Sequence, residues 1–288
     1  MQGLPFLLVI LSALAHGYWN FLFKQAHNKD AFIGLSKLAE PVIYAIPFVF
    51  AVRMWGLDFS ALWYAGVGAL LAVANYTFLS NSYKRMDLSI AYPVSRSSTL
   101  FLPFLAYIFF QEQIDAVGWA SVILVTCGVF IIQLKSFRPS LPSSRSKSAS
   151  WGIVFAVLAA FTVALYTLWG KEAVQHIHPF VYMYCYTFAS CAYFLPSLLR
   201  IDRAVVRKEW NINKWRILTV SVLNTLSIVL MLFALNLGKV TYVGALRQVS
   251  LVVGVGLGWL VLRESKPVPR VAGVVLIIIG ACLTYVAT

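Results

Sequence analysis

Apolar residues along this chain fall into ten long runs separated by short polar breaks, at 4–23, 32–52, 60–81, 89–110, 114–134, 151–170, 179–199, 216–237, 240–262 and 270–287. Each run is close to the roughly twenty residues that a helix needs to cross a bilayer core. Because lipid offers no partner for backbone N–H and C=O groups, spanning segments of this kind must close their own hydrogen bonds as helices. The pattern therefore predicts an all-α integral membrane protein with ten transmembrane helices. Connections are short except at 135–150, rich in Ser, Pro and basic residues, and at 200–214. The first of these is expected to be a linker between two five-helix units, 1–134 and 151–288. The opening run resembles a secretory signal up to Ala15, but no basic residues precede it and the apolar pattern continues to Phe23, so it is expected to stay as a helix.

The two units read as copies of one another. One constant offset carries Ser89 to Thr241, Gln111 to Arg263, Glu112 to Glu264, Ser121 to Gly273 and Gly128 to Gly280. A slightly shorter offset carries Lys24-Gln25-Ala26 to Lys171-Glu172-Ala173, at the ends of the first and sixth runs. Five is odd, so the second copy must cross the membrane upside down, the inverted-repeat plan of many secondary transporters.

One run stands apart. Ser89 to Glu112, SIAYPVSRSSTLFLPFLAYIFFQE, carries Pro93, Arg96 and Pro103 inside a membrane-length apolar stretch. A charge at that depth must face protein or water. Proline removes a backbone donor and bends a helix. The stretch therefore predicts a broken helix beside a wet space.

Composition sharpens this picture. With 60% hydrophobic and 11% charged residues in 288, the chain is outside the range of soluble domains. The formal net charge of +13 would suggest nucleic acid in a soluble protein, but here the basic residues sit between apolar runs, where topology accounts for them. Lys24, Lys29, Lys84, Arg85, Arg200 and the basic residues of both long connections crowd one set of helix ends, whereas Arg53, Lys171 and Lys239 occupy the other. The richer side is expected in the cytoplasm, which puts both termini outside it. Cys127, Cys185, Cys191 and Cys282 lie inside apolar runs without paired spacing, so no disulfide framework or metal site is implied. No HExxH, GxSxG or Walker sequence is present, and neither an enzyme nor a cofactor is expected.

Ionisable residues within the runs are His16, Lys37, Glu40, Arg96 and Arg247. Ser12, His16, Trp19, Asn20 and Phe23 share one face of the first helix. Ser12 and Asn20 suit interhelical hydrogen bonds, and His16 and Trp19 suit a substrate path. Lys37, Glu40 and Tyr44 share a face of the second helix. Lys37 either snorkels to the surface or pairs with Glu40 at i, i+3. Glu40, the only acid within a run, is either the proton carrier of a coupled transporter or half of a structural ion pair. Tyr92, Arg96, Arg247 and Gln248 form matching polar stripes in the fourth and ninth helices, with Asn75 of the third helix as a further candidate contact. The two arginines fall one residue out of register under the repeat offset. Three cations, Lys37, Arg96 and Arg247, against Glu40 leave the interior at plus two, a sign that favours a carboxylate or phosphate held by guanidinium. Gly254, Gly256 and Gly258 read as small residues for close helix packing.

His16-Gly17-Tyr18-Trp19-Asn20 with Lys24, together with the spacing of Glu264, Gly273 and Gly280 after Thr241, Gly244 and Ala245, resembles the EamA-type ten-helix members of the drug/metabolite transporter superfamily. The resemblance covers both halves. It implies a bacterial inner-membrane carrier of small metabolites, often exporting amino acids, that works by alternating access around a central cavity as a monomer or homodimer. Two departures stand out. Such proteins are usually drawn with cytoplasmic termini, against the basic-residue distribution here. The first helix also lacks the glutamate that four-helix relatives use for proton-drug exchange. The reading from another class is a lipid-handling or non-transporting structural membrane protein whose buried charges are merely paired.

Overall fold

The computed structural model describes residues 1–86, 88–133, 147–263 and 267–287, with the backbone alone at 88, 89, 92, 93 and 147–149. Within them the chain is helical and carries no strand. In order, the helices are α1 (Leu4–Lys24), α2 (Lys29–Trp55), α3 (Leu62–Tyr83), α4 (Leu88–Ser95), α5 (Ser98–Phe110), α6 (Ala116–Gln133), α7 (Lys147–Ala173), α8 (Pro179–Leu199), α9 (Arg203–Leu237), α10 (Val240–Leu246), α11 (Val249–Leu260) and α12 (Val268–Val286). Among the described residues, eight segments are long and apolar enough to cross a membrane, with α10–α11 taken as one. Most of the predicted linker and Glu264 lie outside the described residues.

The fourth and ninth predicted helices are each interrupted once. Ser97 N donates to Val94 O and Leu100 N to Ser97 O, at 3.1 and 2.9 Å. Gln248 N donates to Ala245 O and Leu251 N to Gln248 O, at 3.1 and 2.9 Å. Both interruptions are thus single tight turns of i to i−3 bonds, the 3₁₀ pattern that often marks a functional hinge. Arg96 and Arg247 are each the first residue after the leading half-helix. The one-residue mismatch expected from sequence is corrected here: the leading half-helix of the second unit is one residue shorter, which brings the arginines into equivalent places.

Other features repeat between the halves. Gln111 and Arg263, matched by the sequence offset, are the two non-glycine residues with positive φ, 54° and 53°, among the described residues. Helix α1 packs on α9 as α3 packs on α7, and α2 packs on α9 as α8 packs on α3. Helices α6 and α12 run antiparallel at close range. A Cβ on Gly128 would come within 2.7 Å of Gly273 O, and one on Gly273 within 2.7 Å of Gly128 O. At the equivalent crossing Ser121 Oγ donates to Gly280 O at 2.9 Å. Backbones approach this closely because van der Waals contact, not hydrophobicity, drives helix association in lipid. The same logic does not extend to Gly254 and Gly256, where a Cβ would meet nothing within 4 Å; they do not mediate close packing.

Helix α9 also departs from expectation. The sequence pattern starts it at 216 because 200–214 is charged, yet the helix runs unbroken for 35 residues from Arg203. Asp202 caps it by accepting from Ala204 N at 2.8 Å, and no Gly or Pro interrupts it before Gly238. Glu209, Asn213 and Ile217 form its buried stripe. The chain ends meet on one face, where the Met1 amino group donates to Thr284 O at 2.8 Å.

Candidate functional site

A cavity of about 980 Å³ lies between the two halves. It reaches the helix ends at Asp30 in the first turn of α2, Lys84 after α3 and Arg200 after α8, and it is bounded at the other end by Gly68, Gly170 and Tyr182. His16, Trp19, Lys37, Glu40, Asn75, Arg96, Arg247 and Gln248 all line it. The side chain of Tyr92 lies outside the described residues.

On one wall, α1 supplies His16 and Trp19. Trp19 Nε1 donates to His16 Nδ1 at 3.2 Å. Indole can only donate, so Nδ1 is the accepting nitrogen and a neutral ring carries its proton on Nε2. Asn20 also lines the cavity, but its amide donates to His16 O at 2.7 Å, within its own helix. Ser12 instead ties α1 to α9 by donating to Ser227 O at 2.6 Å.

Lys37 and Glu40 form a buried ion pair, with Lys37 Nζ 2.9 and 3.2 Å from the two carboxylate oxygens. Asn224 Nδ2 adds a donor to Glu40 Oε1 at 2.8 Å. Lys37 is 4% exposed and Glu40 1%. The snorkelling alternative for Lys37 is therefore corrected: a carboxylate one turn away offers it a partner that outcompetes the distant surface. Because the pair neutralises itself, the remaining positive charge of the deep cavity belongs to Arg96 and Arg247.

These two arginines are held differently. Arg96 is engaged by neighbouring groups. Arg247 Nη1 donates to the thioether sulfur of Met231 at 2.7 Å, and no carboxylate of a described residue is within ion-pair distance of it. Sulfur is a weak acceptor. Gln248, 8% exposed, follows Arg247 in the same turn. Asn75 lines the cavity while its amide donates to Ala159 O at 2.8 Å, tying α3 to α7.

The opposite wall is aromatic. Tyr76 of α3, Tyr166 of α7, and Tyr182, Tyr186 and Tyr193 of α8 line it. Tyr76 stacks on Tyr193 with centroids 6.1 Å apart. Tyr76, Tyr193, Asn224 and Met231 of this lining are not among the candidates that the sequence singles out. For Asn224 a signal was present, a carboxamide interrupting the apolar run 216–237.

The end away from Lys84 and Arg200 is stitched across the two halves. Val240 N and Thr241 N donate to the Glu112 carboxylate at 2.7 and 3.3 Å, which caps α10. Within the second half, Lys171 Nζ donates to Leu235 O at 3.0 Å and Gly238 O at 2.6 Å, at the end of α9. Trp169 Nε1 donates to Tyr64 O at 2.7 Å.

A chain of this architecture aligns over 99% of its length with a solved protein structure, at a TM-score of 0.76 and 14% identity, covering 98% of that chain. This likeness shows the shared fold. An uncharacterized transporter of Clostridium kluyveri is 27% identical over 237 residues, covering 75% of this chain and 71% of that protein. The profile of the EamA-like transporter family matches residues 3–134 and 150–286. Eight membrane-length apolar segments among the described residues, with a cavity between the halves, together with a family match across nearly the whole chain, show that this multi-pass membrane protein belongs to the EamA-like transporter family.

Proposed function

We propose that the protein is a secondary-active carrier of a small anionic or zwitterionic metabolite, amino-acid-like in carrying a carboxylate, and that the carboxylate binds Arg247. The observation that supports this most strongly is Arg247 itself, a guanidinium at a helix break in a membrane cavity whose hydrogen-bond partner is a thioether. A cation at this depth is costly without a counter-charge. A bidentate carboxylate would offer it two charge-assisted hydrogen bonds in place of one weak one. Arg96, Gln248, His16, Trp19 and Asn75 complete the polar side of the site, and the tyrosines face the substrate body.

Alternating access would follow from the symmetry. The matched breaks, the paired positive-φ residues and the antiparallel α6–α12 contact support two inverted repeats, 1–134 and 151–288, about an axis in the membrane plane. The state described here opens beside Lys84 and Arg200, the basic side expected in the cytoplasm, and its other end is tied across the halves at Glu112 and Trp169. The bacterial inner membrane is the expected location.

Purified protein in liposomes, offered a panel of amino acids and small carboxylates, is expected to show saturable flux of at least one carboxylate. R247Q should abolish that flux and R247K should restore it only in part, because an ammonium cannot reproduce the planar fork. Saturable flux that R247Q leaves unchanged would sink the carboxylate assignment. No flux of any soluble solute would favour a lipid-handling or structural protein.

A further inference from the structure

At about 1.5 Å per residue, the 35 residues of α9 extend about 52 Å, whereas a bilayer is roughly 40–45 Å thick including its headgroups. Its C-terminal half lines the cavity through Asn224, Ile228 and Met231. The helix is therefore about 7–12 Å longer than the bilayer, enough for its N-terminal dozen residues to reach through a headgroup layer. None of residues 203–216 lines the cavity, so this extension has no part in the site described above.

Arg203, Arg207, Trp210 and Lys214 follow one another at intervals of four, three and four residues, which places them on a single stripe. All four are exposed. Lys208 and Trp215 are exposed beside the stripe, with Trp215 72% accessible and the Lys214 ammonium 5.8 Å from its ring. The two acids of this segment are both occupied. Asp202 caps the helix. Glu209, fully buried, accepts from His27 N at 3.2 Å, Asn28 N at 2.7 Å and Asn213 Nδ2 at 2.7 Å. That carboxylate fastens the extension to the α1–α2 loop and removes its own charge from the exposed face. What remains is a rigid cationic stripe carrying indoles, the combination that settles at a membrane–water interface and attracts anionic lipid at close range.

We propose that the stripe Arg203, Arg207, Trp210 and Lys214 is a docking site for the phosphate headgroup of an anionic phospholipid of the surrounding membrane. The tryptophans favour lipid over a soluble anion, since their apolar bodies bury against acyl chains while the cations meet the phosphate. Occupation would steady the start of α9 and, through Glu209, the α1–α2 loop next to Asp30 at the cavity mouth.

The test is a competition in nanodiscs of phosphatidylcholine containing a minor fraction of phosphatidylglycerol, with retained lipid identified by native mass spectrometry. The full-length protein should retain phosphatidylglycerol in preference, and R203Q/R207Q/K214Q should reduce that preference about tenfold or more. The wild-type preference should also weaken as salt shortens the screening length. Equal melting of the two proteins in pure phosphatidylcholine verifies the fold. If the triple variant does not fold, R203Q and R207Q singly carry the same test with smaller steps. A phosphatidylglycerol preference unchanged in the folded variants would overturn the proposal, as would capture of a soluble polyanion with no discrimination between the two lipids.

Discussion

The two broken helices differ in the feature that local chemistry would name as the cause of the break. The first carries Pro93 and Pro103, whereas Thr241 to Leu260 contains no proline. Yet the same turn, with the same pair of i to i−3 bonds, interrupts both, at Arg96-Ser97 and at Arg247-Gln248. Proline removes a donor and so permits a break, but the second half shows that it is not required. What the two sites share is an arginine beside a cavity and the packing of equivalent helices around it. The break is therefore a tertiary feature, imposed by the need to bring a charge and a turn of backbone to wet space at membrane depth. The arginines differ as well: Arg96 is engaged by its neighbours, whereas Arg247 rests on Met231.

The largest expected effect comes from disturbing the pair that limits the comparison to two cations. E40Q leaves Lys37 uncompensated beside the breaks and should destabilise the protein by about 3–5 kcal/mol, measured by thermal or chemical melting in detergent. Replacing both partners together, as K37M/E40L, should cost much less. Next, R247Q should weaken binding of the transported anion about a hundredfold, the range for truncating one side of a desolvated charge pair. R96Q should weaken it about tenfold or less, on the reasoning that an arginine already engaged gives less to the ligand. Equal losses would erase the distinction between the halves. A smaller effect attends E112Q, which removes a charge-assisted cap from α10 worth about 1–2 kcal/mol. Labelling from the Lys171 side of a cysteine placed at Tyr182 should rise, because the stitched end opens more often. The smallest effect is P93A, which should leave affinity within about twofold if packing sets the turn.

Much of the fold was readable from the chain. The ten apolar runs, the interruption near Arg96 and the pairing of Gln111 with Arg263 all follow from hydrophobic length and offset. The start of α9 did not, because a charged segment without Gly or Pro reads as a connection until Glu209, Asn213 and Ile217 are seen buried on one stripe. For the site, His16, Trp19, Arg247 and Gln248 stood out because polar groups in apolar runs are costly and few. The aromatic wall did not stand out, since a tyrosine in a membrane helix carries no such penalty and serves equally well as an interfacial anchor. That Arg247 meets Met231 of α9 depends on tertiary packing, which spacing along the chain does not contain.

Arg247 is proposed to take the acid group of the substrate. A structure of the protein with a transported carboxylate bound tests it most directly. Carboxylate oxygens are expected within hydrogen-bond distance of the Arg247 guanidinium, in place of Met231 Sδ. A ligand whose acid group lies elsewhere in the cavity, with the Arg247–Met231 contact intact, would contradict it.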